Sequence, residues 1–476
     1  MNPDRTIPSG LGAAGRNPEQ AEPAVAGAGP ASSPAWPDAA HTPLLLIAHA
    51  EGERTDGMKQ ARRALGLKAP IVVPYERLLA GVSLPDAAAE AGLPAGSVPF
   101  IRLDAPGEHF PVERALIALG SPERDDGDSL LPLRGRPDPY RLSLRASLAL
   151  EERPMRLMHP SQWFRGFCRL LARIRAEAAA AWPQALFWND PAEIAVMFDK
   201  RAAHRRLREA GVGVPALLAE PESLGGYEAV REAMAKRRMF RVFLKLAFGS
   251  GASGVIAYQV NPRTGAEIAA TTLAVETYIQ RPGIFYNTGS VRTLTDSESI
   301  RKLIGYLCGH GIHAERWIPK ASLHGRALDL RQLVAFGAAG HSVIRAGETP
   351  ITNLHLRSRR LSPAESGLPQ ETLEAARGEA LAAMRTFPRS ASAGIDVLTD
   401  RVSGRAYVAD VNPFGDLLRR TQFEGLDPYA WENKRWLEAG AKQTDHAGNT
   451  GSAEHVEHVQ HVQHVDPAVS RRTLHT

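Results

Sequence analysis

The pattern of hydrophobic and polar positions predicts an α/β region in the first part of the chain. Three apolar runs are typical of buried parallel strands, at 43–48, 71–74 and 98–103. Helical spacing is found between and after them, at 56–65, 112–119 and 161–182, and Ser161 is the expected N-cap of the last helix. Because strands alternate with helices here, we expect an open α/β sheet.

Strands and turns dominate the second part of the chain. Strand patterns at 241–246 and 255–258 flank a glycine loop, and further strands are predicted around 330–336 and 341–345. A helical pattern follows at 368–385, and a last strand pair is predicted at 394–398 and 407–412. This succession of strand pairs indicates an α+β arrangement for the second part.

Both ends of the chain lack sustained apolar periodicity. Residues 1–42 are rich in Ala, Pro and Gly, and the tail 439–476 carries histidines at a spacing of three, namely His455, His458, His461 and His464. We expect both segments to be disordered. If the tail were helical, these histidines would face one another and could chelate a metal ion.

Length and charge narrow the class of protein. The 476 residues suffice for about two or three domains, and 43% hydrophobic residues can form a sizeable core. A net charge of +5 and a pI of about 9.2 favour an anionic ligand such as a nucleotide. Nucleic acid is a weaker interpretation, since the chain has neither zinc-finger spacing nor a basic-aromatic RNA-binding motif.

The two cysteines and the distribution of apolar residues predict a cytoplasmic protein. Cys168 and Cys308 do not form a disulfide framework, which fits a reducing compartment. No apolar run approaches the roughly 18 residues of a membrane helix, and no signal peptide is recognisable. We therefore expect no membrane partner.

Three oxygen-bearing side chains mark the last strand pair. Asp410 and Asn412 are two residues apart and share a strand face, and Asp396 lies on the preceding strand. Two carboxylates and one amide oxygen suit a hard cation such as Mg²⁺, which keeps waters and nucleotide phosphates as its other ligands. Nucleotide-dependent chemistry is therefore the leading hypothesis.

The glycine loop that follows Lys245 is a second candidate for phosphate binding. Its glycines and serines allow close approach of a backbone to phosphate, at Gly249, Ser250, Gly251, Ser253 and Gly254. A simple hairpin turn is the alternative, because the loop fits neither the Walker nor the Rossmann pattern. Lys245 lies within an apolar strand and needs an anionic partner if it is buried, or else it points to solvent from an edge strand.

A third group of charges follows on two more strands. Asp329 and Arg331 share a strand face, and Arg345 ends the next strand, where it could neutralise a transferring phosphoryl group. Asn353 follows shortly afterwards.

The order and spacing of these parts over 186–436 resemble the ATP-grasp superfamily, nearest to its amino-acid ligase branch. The sequence Asp199-Lys200, Lys245 with its loop, Glu315-Arg316-Trp317-Ile318, Asp329-Leu330-Arg331, Arg345, Asn353, Asp396 and Asp410-Val411-Asn412 carries the resemblance. It implies a pre-ATP-grasp α/β domain at 43–185 and an ATP-grasp domain at 186–438, with a lid subdomain at about 212–320.

The resemblance also implies roles for the residues. Lys200 and Lys245 would contact nucleotide phosphates, and the 249–254 loop would cover them. Glu315, Arg316, Trp317 and Ile318 would form the hinge that reads the adenine edge. Arg345 would stabilise the transferred phosphoryl group, with Asn353 beside it and with Asp329 and Arg331 positioning substrate. Asp396, Asp410 and Asn412 would hold two Mg²⁺ ions, with Mn²⁺ as a substitute.

Two departures from the family pattern stand out. The middle metal ligand is usually Glu in Glu-x-Asn, whereas this chain has Asp410. The stretch from Gly254 to His313 is longer than the compact branch needs, and 276–279 is a competing hinge. We prefer the hinge at Glu315, since it precedes Asp329 at a suitable distance.

The resulting hypothesis is an ATP-dependent ligase that joins a carboxylate to an amine, or to a thiol, through an acyl phosphate. One alternative is a non-catalytic ATP-binding scaffold or sensor, which is suggested by Asp410, whose side chain is shorter than the usual Glu. The other is a nucleic-acid binder, for which the basic pI is the motive. The small-molecule or peptide substrates and the oligomeric state have no recognisable motif in this sequence.

Overall fold

A computed structural model of the chain describes residues 34–124, 130, 140–249, 253–278, 283–356, 358–415, 418 and 420–450. Ser250, Gly251 and the four tail histidines lie outside these ranges, as does the first 33-residue part of the predicted N-terminal segment.

The N-terminal region contains a parallel sheet, as the apolar runs predict. Its strands are β1 Leu44–Ala48, β2 Ile71–Pro74, β3 Phe100–Leu103 and β4 Leu186–Phe187, in the order β2-β1-β3-β4. The helices of this region are α1 Glu53–Ala64, α2 Tyr75–Leu79, α3 Leu84–Glu90, α4 Phe110–Leu119, α5 Leu144–Leu148 and α6 Pro160–Ala181. Strands β1 and β3 are wholly buried, which explains the continuous apolar sequence of β1.

Helix α6 begins differently from the prediction. His159, in a left-handed conformation with φ 45°, precedes the helix, and Ser161 lies inside it, hydrogen-bonded to His310 Nδ1 at 2.8 Å. Glycines bring α6 close to α4: a Cβ on Gly120 would lie 1.9 Å from the Gln162 carbonyl oxygen, and one on Gly166 equally close to the Leu116 oxygen. Any larger residue would force these helices apart.

A five-stranded antiparallel sheet, here called the lid sheet, follows. Its strands are β5 Arg241–Leu246, β6 Val255–Val260, β7 Glu267–Glu276, β8 Ile284–Leu294 and β9 Ile312–Arg316, in the order β8-β7-β6-β5-β9. Around it in the chain are helices α7 Pro191–Phe198, α8 Lys200–Glu209, α9 Tyr227–Arg237 and α10 Ser297–His310. The long β7–β8 hairpin and α10 account for the extra length that the sequence has before His313.

A six-stranded sheet, here called the large sheet, completes the fold. Its strands are β10 Ser322–Leu323, β11 Arg326–Ala335, β12 Ala338–Gly347, β13 Arg359–Leu361, β14 Ser392–Thr399 and β15 Ala406–Asn412, with the main order β13-β12-β11-β14-β15. Helix α11 Gln370–Arg385 packs against β14 and β15 through Ala376, Ala380 and Ala383. The predicted hairpin that carries Asp396 and Asp410 is therefore present.

The ordered part of the chain extends beyond both predicted boundaries. Trp36 is buried and contacts the rings of Phe100 and Phe336 at centroid distances of 6.0 and 5.3 Å, so the prediction of disorder is wrong for residues 34–42. Helix α12 Pro428–Thr450 continues past residue 438, and its buried Trp436 donates a hydrogen bond to the Pro37 carbonyl at 2.7 Å. This contact between the two ends could not be inferred from local periodicity.

None of the helices in the described part of the chain has both the length and the apolar content for crossing a membrane.

Candidate functional site

The lid sheet and the large sheet face each other across a cavity of about 120 Å³, here called the inner cavity. The predicted site residues that line it are Lys200, Lys245, Gly249, Ser253, Glu315, Asp329, Arg331, Arg345, Asn353, Asp396, Asp410 and Asn412. Residues spread over more than 200 positions of sequence thus meet at one place.

Strand register explains how the large sheet presents its charges. Arg331 on β11 lies opposite Asp396 on β14, and Asp396 lies opposite Asp410 on β15. Asp329 on β11 lies opposite Arg345 on β12. Because directly opposed residues share a sheet face, opposite charges from four strands come together.

These residues form a connected network of ion pairs. Arg345 contacts Asp329 Oδ1 through Nε at 2.5 Å and Asp396 Oδ1 through Nη2 at 2.9 Å. Arg331 Nε also lies 2.9 Å from Asp396 Oδ1. Burial opposes ionisation of Asp329, but Arg345 and Lys320 outweigh it and lower the pKa of this carboxyl. Asp329 is thereby held in its charged form.

At Asp396, the effects that raise the pKa of the carboxyl outweigh those that lower it. Its burial, together with the nearby Asp329 and Asp410 carboxylates, raises its pKa even though Arg331 and Arg345 attract it. The negative charge at this position is therefore only partly compensated by protein cations. A bound divalent cation would supply the missing compensation.

The remaining oxygen ligands lie beside Asp396. Asp410 Oδ2 is paired with Lys200 Nζ at 2.9 Å. The Asn412 amide nitrogen donates to the Gly394 carbonyl at 3.0 Å, which leaves the amide oxygen as a cation ligand. The β14–β15 ladder is irregular just after Asp396, and such irregularities re-aim side chains next to sites. This set of oxygens fits Mg²⁺.

The lid sheet contributes a buried charge pair. Lys245 Nζ lies 2.6 Å from Glu315 Oε1 and donates to the Ala409 carbonyl at 3.2 Å. His313 Nε2 lies 2.9 Å from Glu315 Oε2. Burial opposes both charges, but Lys245 and His313 lower the pKa of Glu315 to about 2, and Glu315 with Asp410 raises that of Lys245. The sequence expectation that a buried Lys245 needs an anionic partner agrees with this contact.

Lys200 joins the glycine loop to the large sheet. Its Nζ donates to the Gly249 carbonyl at 2.8 Å while it pairs with Asp410. Asp199, next to it, caps α8 by accepting a hydrogen bond from the Arg201 amide at 3.0 Å. Gly254 has φ 72°, a conformation that favours glycine at the loop's end.

Two polar residues of the cavity, Lys320 and Thr352, were not predicted from the sequence. Lys320 Nζ contacts Asp329 Oδ2 at 3.1 Å and the Thr352 hydroxyl, and Thr352 also donates to Asp329. Burial lowers the pKa of Lys320, although Asp329 opposes this shift. Both residues lie on connections between strands, where no periodicity signals their direction; a lysine close to the predicted hinge was the only available hint.

An apolar wall completes the cavity, and it too was missed. Phe243, Val255, Ile351 and Leu398 line it. Phe243 and Lys245 are two residues apart on β5, so their side chains share the face towards the cavity. Val255 lies opposite Lys245 on β6.

The predicted hinge is only partly at the cavity. Glu315 lines it, whereas Arg316, Trp317 and Ile318 do not. The Arg316 and Trp317 amides donate to the Ala216 and Arg241 carbonyls. The reading of an adenine edge by this backbone stays a prediction.

The competing hinge candidate lies elsewhere. Glu276 is exposed at the end of β7 and accepts hydrogen bonds from Tyr278 and Tyr286. It does not line the inner cavity.

A larger cleft of about 950 Å³, here called the outer cleft, adjoins the inner cavity. Both are lined by Lys200, Arg331, Arg345, Asn353, Asp410 and Asn412. From there the outer cleft extends to the carboxyl ends of β1 and β3, where Arg54 at the start of α1 and Asp104 directly after β3 line it. Space for a further ligand therefore opens directly beside the charged network, at the carboxyl ends of parallel strands.

Comparison with known proteins adds a similarity of fold. No family model matches the chain, and no curated protein matches it either. Among solved structures, the chain is similar to the ATP-grasp ligase PsnB complexed with minimal precursor, at 12% identity and a TM-score of 0.45, over 84% of this chain and 98% of that one. D-cycloserine synthetase DcsG has 13% identity and a TM-score of 0.45, over 84% and 99%. D-alanine–D-alanine ligase from Bacillus anthracis complexed with ATP has 10% sequence identity and a TM-score of 0.42, over 86% of this chain and 100% of that one.

The predicted α/β architecture, with α+β in its second part, is confirmed by the parallel sheet and the two antiparallel sheets of the structure. Activity depends on the contacts within the site.

Proposed function

We propose that this protein is an ATP-grasp ligase that uses Mg-ATP to join a carboxylate to an amine. The observation that carries the proposal is the convergence of Lys200, Lys245 and Arg345 with Asp396 and Asp410 on one cavity. Cations for a polyphosphate and oxygens for its metal ion are both needed in phosphoryl transfer.

The charges of the inner cavity support a triphosphate as its ligand. Among the residues that the structure describes, the charged side chains that line it are the cations Lys200, Lys245, Lys320, Arg331 and Arg345 and the anions Glu315, Asp329, Asp396 and Asp410. Five cations against four anions leave little net charge, so ATP with its Mg²⁺ would enter without a large electrostatic excess of either sign. The apolar wall with Phe243 and Ile351 would take the base.

Binding of ATP would exchange partners within this network. Lys200 now neutralises Asp410, and the two arginines neutralise Asp396 in part. When phosphate oxygens attract Lys200 and Arg345, these carboxylates become available as metal ligands. Mg²⁺, held by Asp396, Asp410 and Asn412, would polarise phosphoryl oxygens and offset developing charge.

The reaction then needs positioning more than covalent chemistry by the protein. A substrate carboxylate in the outer cleft attacks the γ-phosphorus, the bond to the β-phosphate oxygen breaks, and ADP forms with an acyl phosphate. An amine attacks the acyl carbon, loses a proton and displaces phosphate. Arg345 and Arg331, which line both the cavity and the cleft, would hold the transferred group between the two substrates.

A screen of metabolite extracts tests this function. The purified protein is incubated with an extract, Mg²⁺ and ATP, and mass spectrometry follows the appearance of a new amide together with ADP. Asp410→Asn serves as the inactive comparison, and Asp56→Asn, an exposed residue on α1, as the matched control. ADP-coupled amide formation that Asp410→Asn abolishes is expected.

Two results would contradict the proposal. Nucleotide binding without any product or ADP release over a broad set of acids, amines and thiols would favour the scaffold or sensor alternative. An absence of nucleotide binding would remove the basis for either interpretation.

A further inference from the structure

A second cluster of ligand-type side chains lies apart from the inner cavity, at the carboxyl ends of the parallel strands. His49 directly follows β1, Glu76 lies just after β2, and His109 follows β3 and precedes α4. Since β2, β1 and β3 are neighbours in the sheet, their following loops meet at the same edge. The topology brings together three residues that are far apart in sequence.

The side chains are close enough to share a ligand. One potential ligand atom from each of His49, Glu76 and His109 lies within 4.8 Å of the others. The two imidazole rings have a centroid distance of 5.2 Å, and His109 Nδ1 lies 3.2 Å from Glu76 Oε1.

Two buried atoms of this cluster have no hydrogen-bond partner among the described residues, namely His49 Nδ1 and Glu76 Oε2. The other ring nitrogen of His49, Nε2, lies 3.0 Å from the Gly107 carbonyl oxygen. Because a carbonyl only accepts, Nε2 carries the proton, and a neutral ring then has its lone pair on Nδ1. Proteins commonly orient a metal-binding histidine by a hydrogen bond from its other ring nitrogen to a backbone carbonyl.

We propose that His49, Glu76 and His109 bind a divalent transition-metal ion of the zinc class. Two imidazoles and one carboxylate suit Zn²⁺, whereas Mg²⁺ prefers oxygen ligands alone. The ion would engage both unpartnered atoms. This site differs in position and in ligand chemistry from the magnesium ligands Asp396 and Asp410.

A modest closure of the side chains completes such a site. Atoms bound at about 2.1 Å to a tetrahedral ion lie roughly 3.4 Å apart, so the ligands need to approach by about an ångström. Glu76 and His109 have side-chain exposures of 42% and 44%, which leaves them room to move. Three protein ligands leave a fourth position for water or substrate, and both histidines line the outer cleft.

Zinc titration of the full-length protein tests the site, provided that two other sites are suppressed. The tail histidines His455, His458, His461 and His464 are replaced by alanine in the background variant. Saturating Mg²⁺ occupies the oxygen ligands of the inner cavity. Calorimetry with Zn²⁺ is expected to show one ion per chain, and zinc is expected to raise the melting temperature.

Three substitutions in this background identify the ligands. His49→Ala, His109→Ala and the conservative Glu76→Gln are each expected to weaken zinc binding more than about tenfold. His41→Ala is the matched control, since His41 is an exposed histidine paired with a single aspartate. His204→Gln tests the separate buried cluster of His204, His313 and Glu315 and is expected to leave zinc affinity unchanged.

The proposal is overturned if the background variant binds no zinc stoichiometrically, or if affinity persists in Glu76→Gln and in the doubly substituted His49→Ala/His109→Ala protein. Loss of zinc binding in His204→Gln alone would also overturn it, because the ion would then lie in the other cluster. The metal-free melting temperature shows that each variant is folded. None of these outcomes depends on ligase activity.

Discussion

The two sheets that face the inner cavity hold their charges in different ways. In the lid sheet, Lys245 and Glu315 are paired at 2.6 Å, and the pKa of each is shifted towards its charged form. In the large sheet, Asp396 contacts two arginines, yet its pKa is raised. The lid sheet thus compensates its own charges, whereas the two arginines of the large sheet compensate its three carboxylates, Asp329, Asp396 and Asp410, only in part.

This difference separates structural from functional roles. A buried pair costs desolvation energy, which its mutual attraction must offset, and removing one partner leaves an uncompensated charge. We therefore expect substitutions at Lys245 to affect folding as well as binding. Substitutions at Asp396 should affect the reaction without a comparable loss of stability, because they remove a charge that is already under-compensated.

The largest expected effect is the loss of turnover when a carboxylate of the large sheet is replaced. Asp396→Asn and Asp410→Asn should each lower Mg²⁺-dependent ADP release by about 10³-fold or more, because the loss of metal-assisted charge stabilisation amounts to several kcal/mol. Steady-state assays at saturating ATP measure this change. Asp56→Asn is the control, and undiminished ADP release in either site variant would show that these carboxylates do not serve the reaction.

Replacement of Lys245 in the lid sheet should cause the largest loss in the free energy of unfolding. Lys245→Met is expected to lower the free energy of unfolding by about 3 kcal/mol, since Glu315 becomes a buried carboxylate without its cation. The double variant Lys245→Met/Glu315→Gln should regain most of this loss but not nucleotide affinity. Urea unfolding provides the free energies.

Lys302→Met is the matched control for this experiment. Lys302 pairs with Glu298 at 2.6 Å on α10, where that carboxylate is 74% exposed, and such pairs contribute less than about 1 kcal/mol. If Lys245→Met were no less stable than Lys302→Met, the pair with Glu315 would not stabilise the lid sheet.

Acidification should destabilise the fold through His204, which lies on α8 with its ring 5.1 Å from that of His313 on β9 of the lid sheet. Burial and the neighbouring His313 lower the pKa of His204 below 6.5. Below pH 6.5, His204 therefore binds a proton in the unfolded chain, whereas in the folded chain it binds one only at a lower pH. The stabilisation is complete above this pH and is lost as the pH falls towards the lowered value, by up to about 1.4 kcal/mol per pH unit.

His204→Gln isolates this contribution. Glutamine can still donate to the Pro215 carbonyl, which His204 Nε2 now contacts at 2.8 Å, but it does not titrate. The variant should lose less unfolding free energy than the wild type between pH 7 and the acidic range, in chelator-treated protein. Parallel pH profiles for both proteins would mean that His204 does not stay neutral in the folded state.

The smallest expected effect concerns the apolar wall. Phe243→Leu should weaken ATP binding roughly fivefold, a loss of about 1 kcal/mol from the reduced contact with the base. Tyr278→Leu tests the competing hinge at 276–279 and should leave ATP affinity as in the wild type. A larger effect at Tyr278 than at Phe243 would move the base to the far end of β7.

Strand periodicity explains why much of the site could be predicted. Residues at i and i+2 share a face, so Asp410 with Asn412 and Asp329 with Arg331 could be grouped from the sequence alone. Lys245 could be recognised because a lysine in an apolar strand demands a partner. Glu315 could not be predicted as this partner, because the family resemblance places it only in the hinge and strand order cannot be read from periodicity.

What the sequence did not reveal depends on tertiary contacts. Lys320 and Thr352 lie outside regular strands, and their contacts with Asp329 arise only when β11 and the following connections fold together. The cluster of His49, Glu76 and His109 needs the order β2-β1-β3, which local patterns do not specify. Similarly, the buried position of Trp36 depends on residues hundreds of positions away.

Calorimetric titration with a non-hydrolysable ATP analogue and Mg²⁺ tests most directly whether both sheets bind the same nucleotide. Lys245→Met/Glu315→Gln alters the lid sheet, and Asp410→Asn alters the large sheet. Each variant is expected to weaken binding of this one ligand at least about tenfold, while Lys302→Met and Asp56→Asn bind it like the wild type. Wild-type affinity in either site variant would contradict the convergence of the two sheets on a single triphosphate.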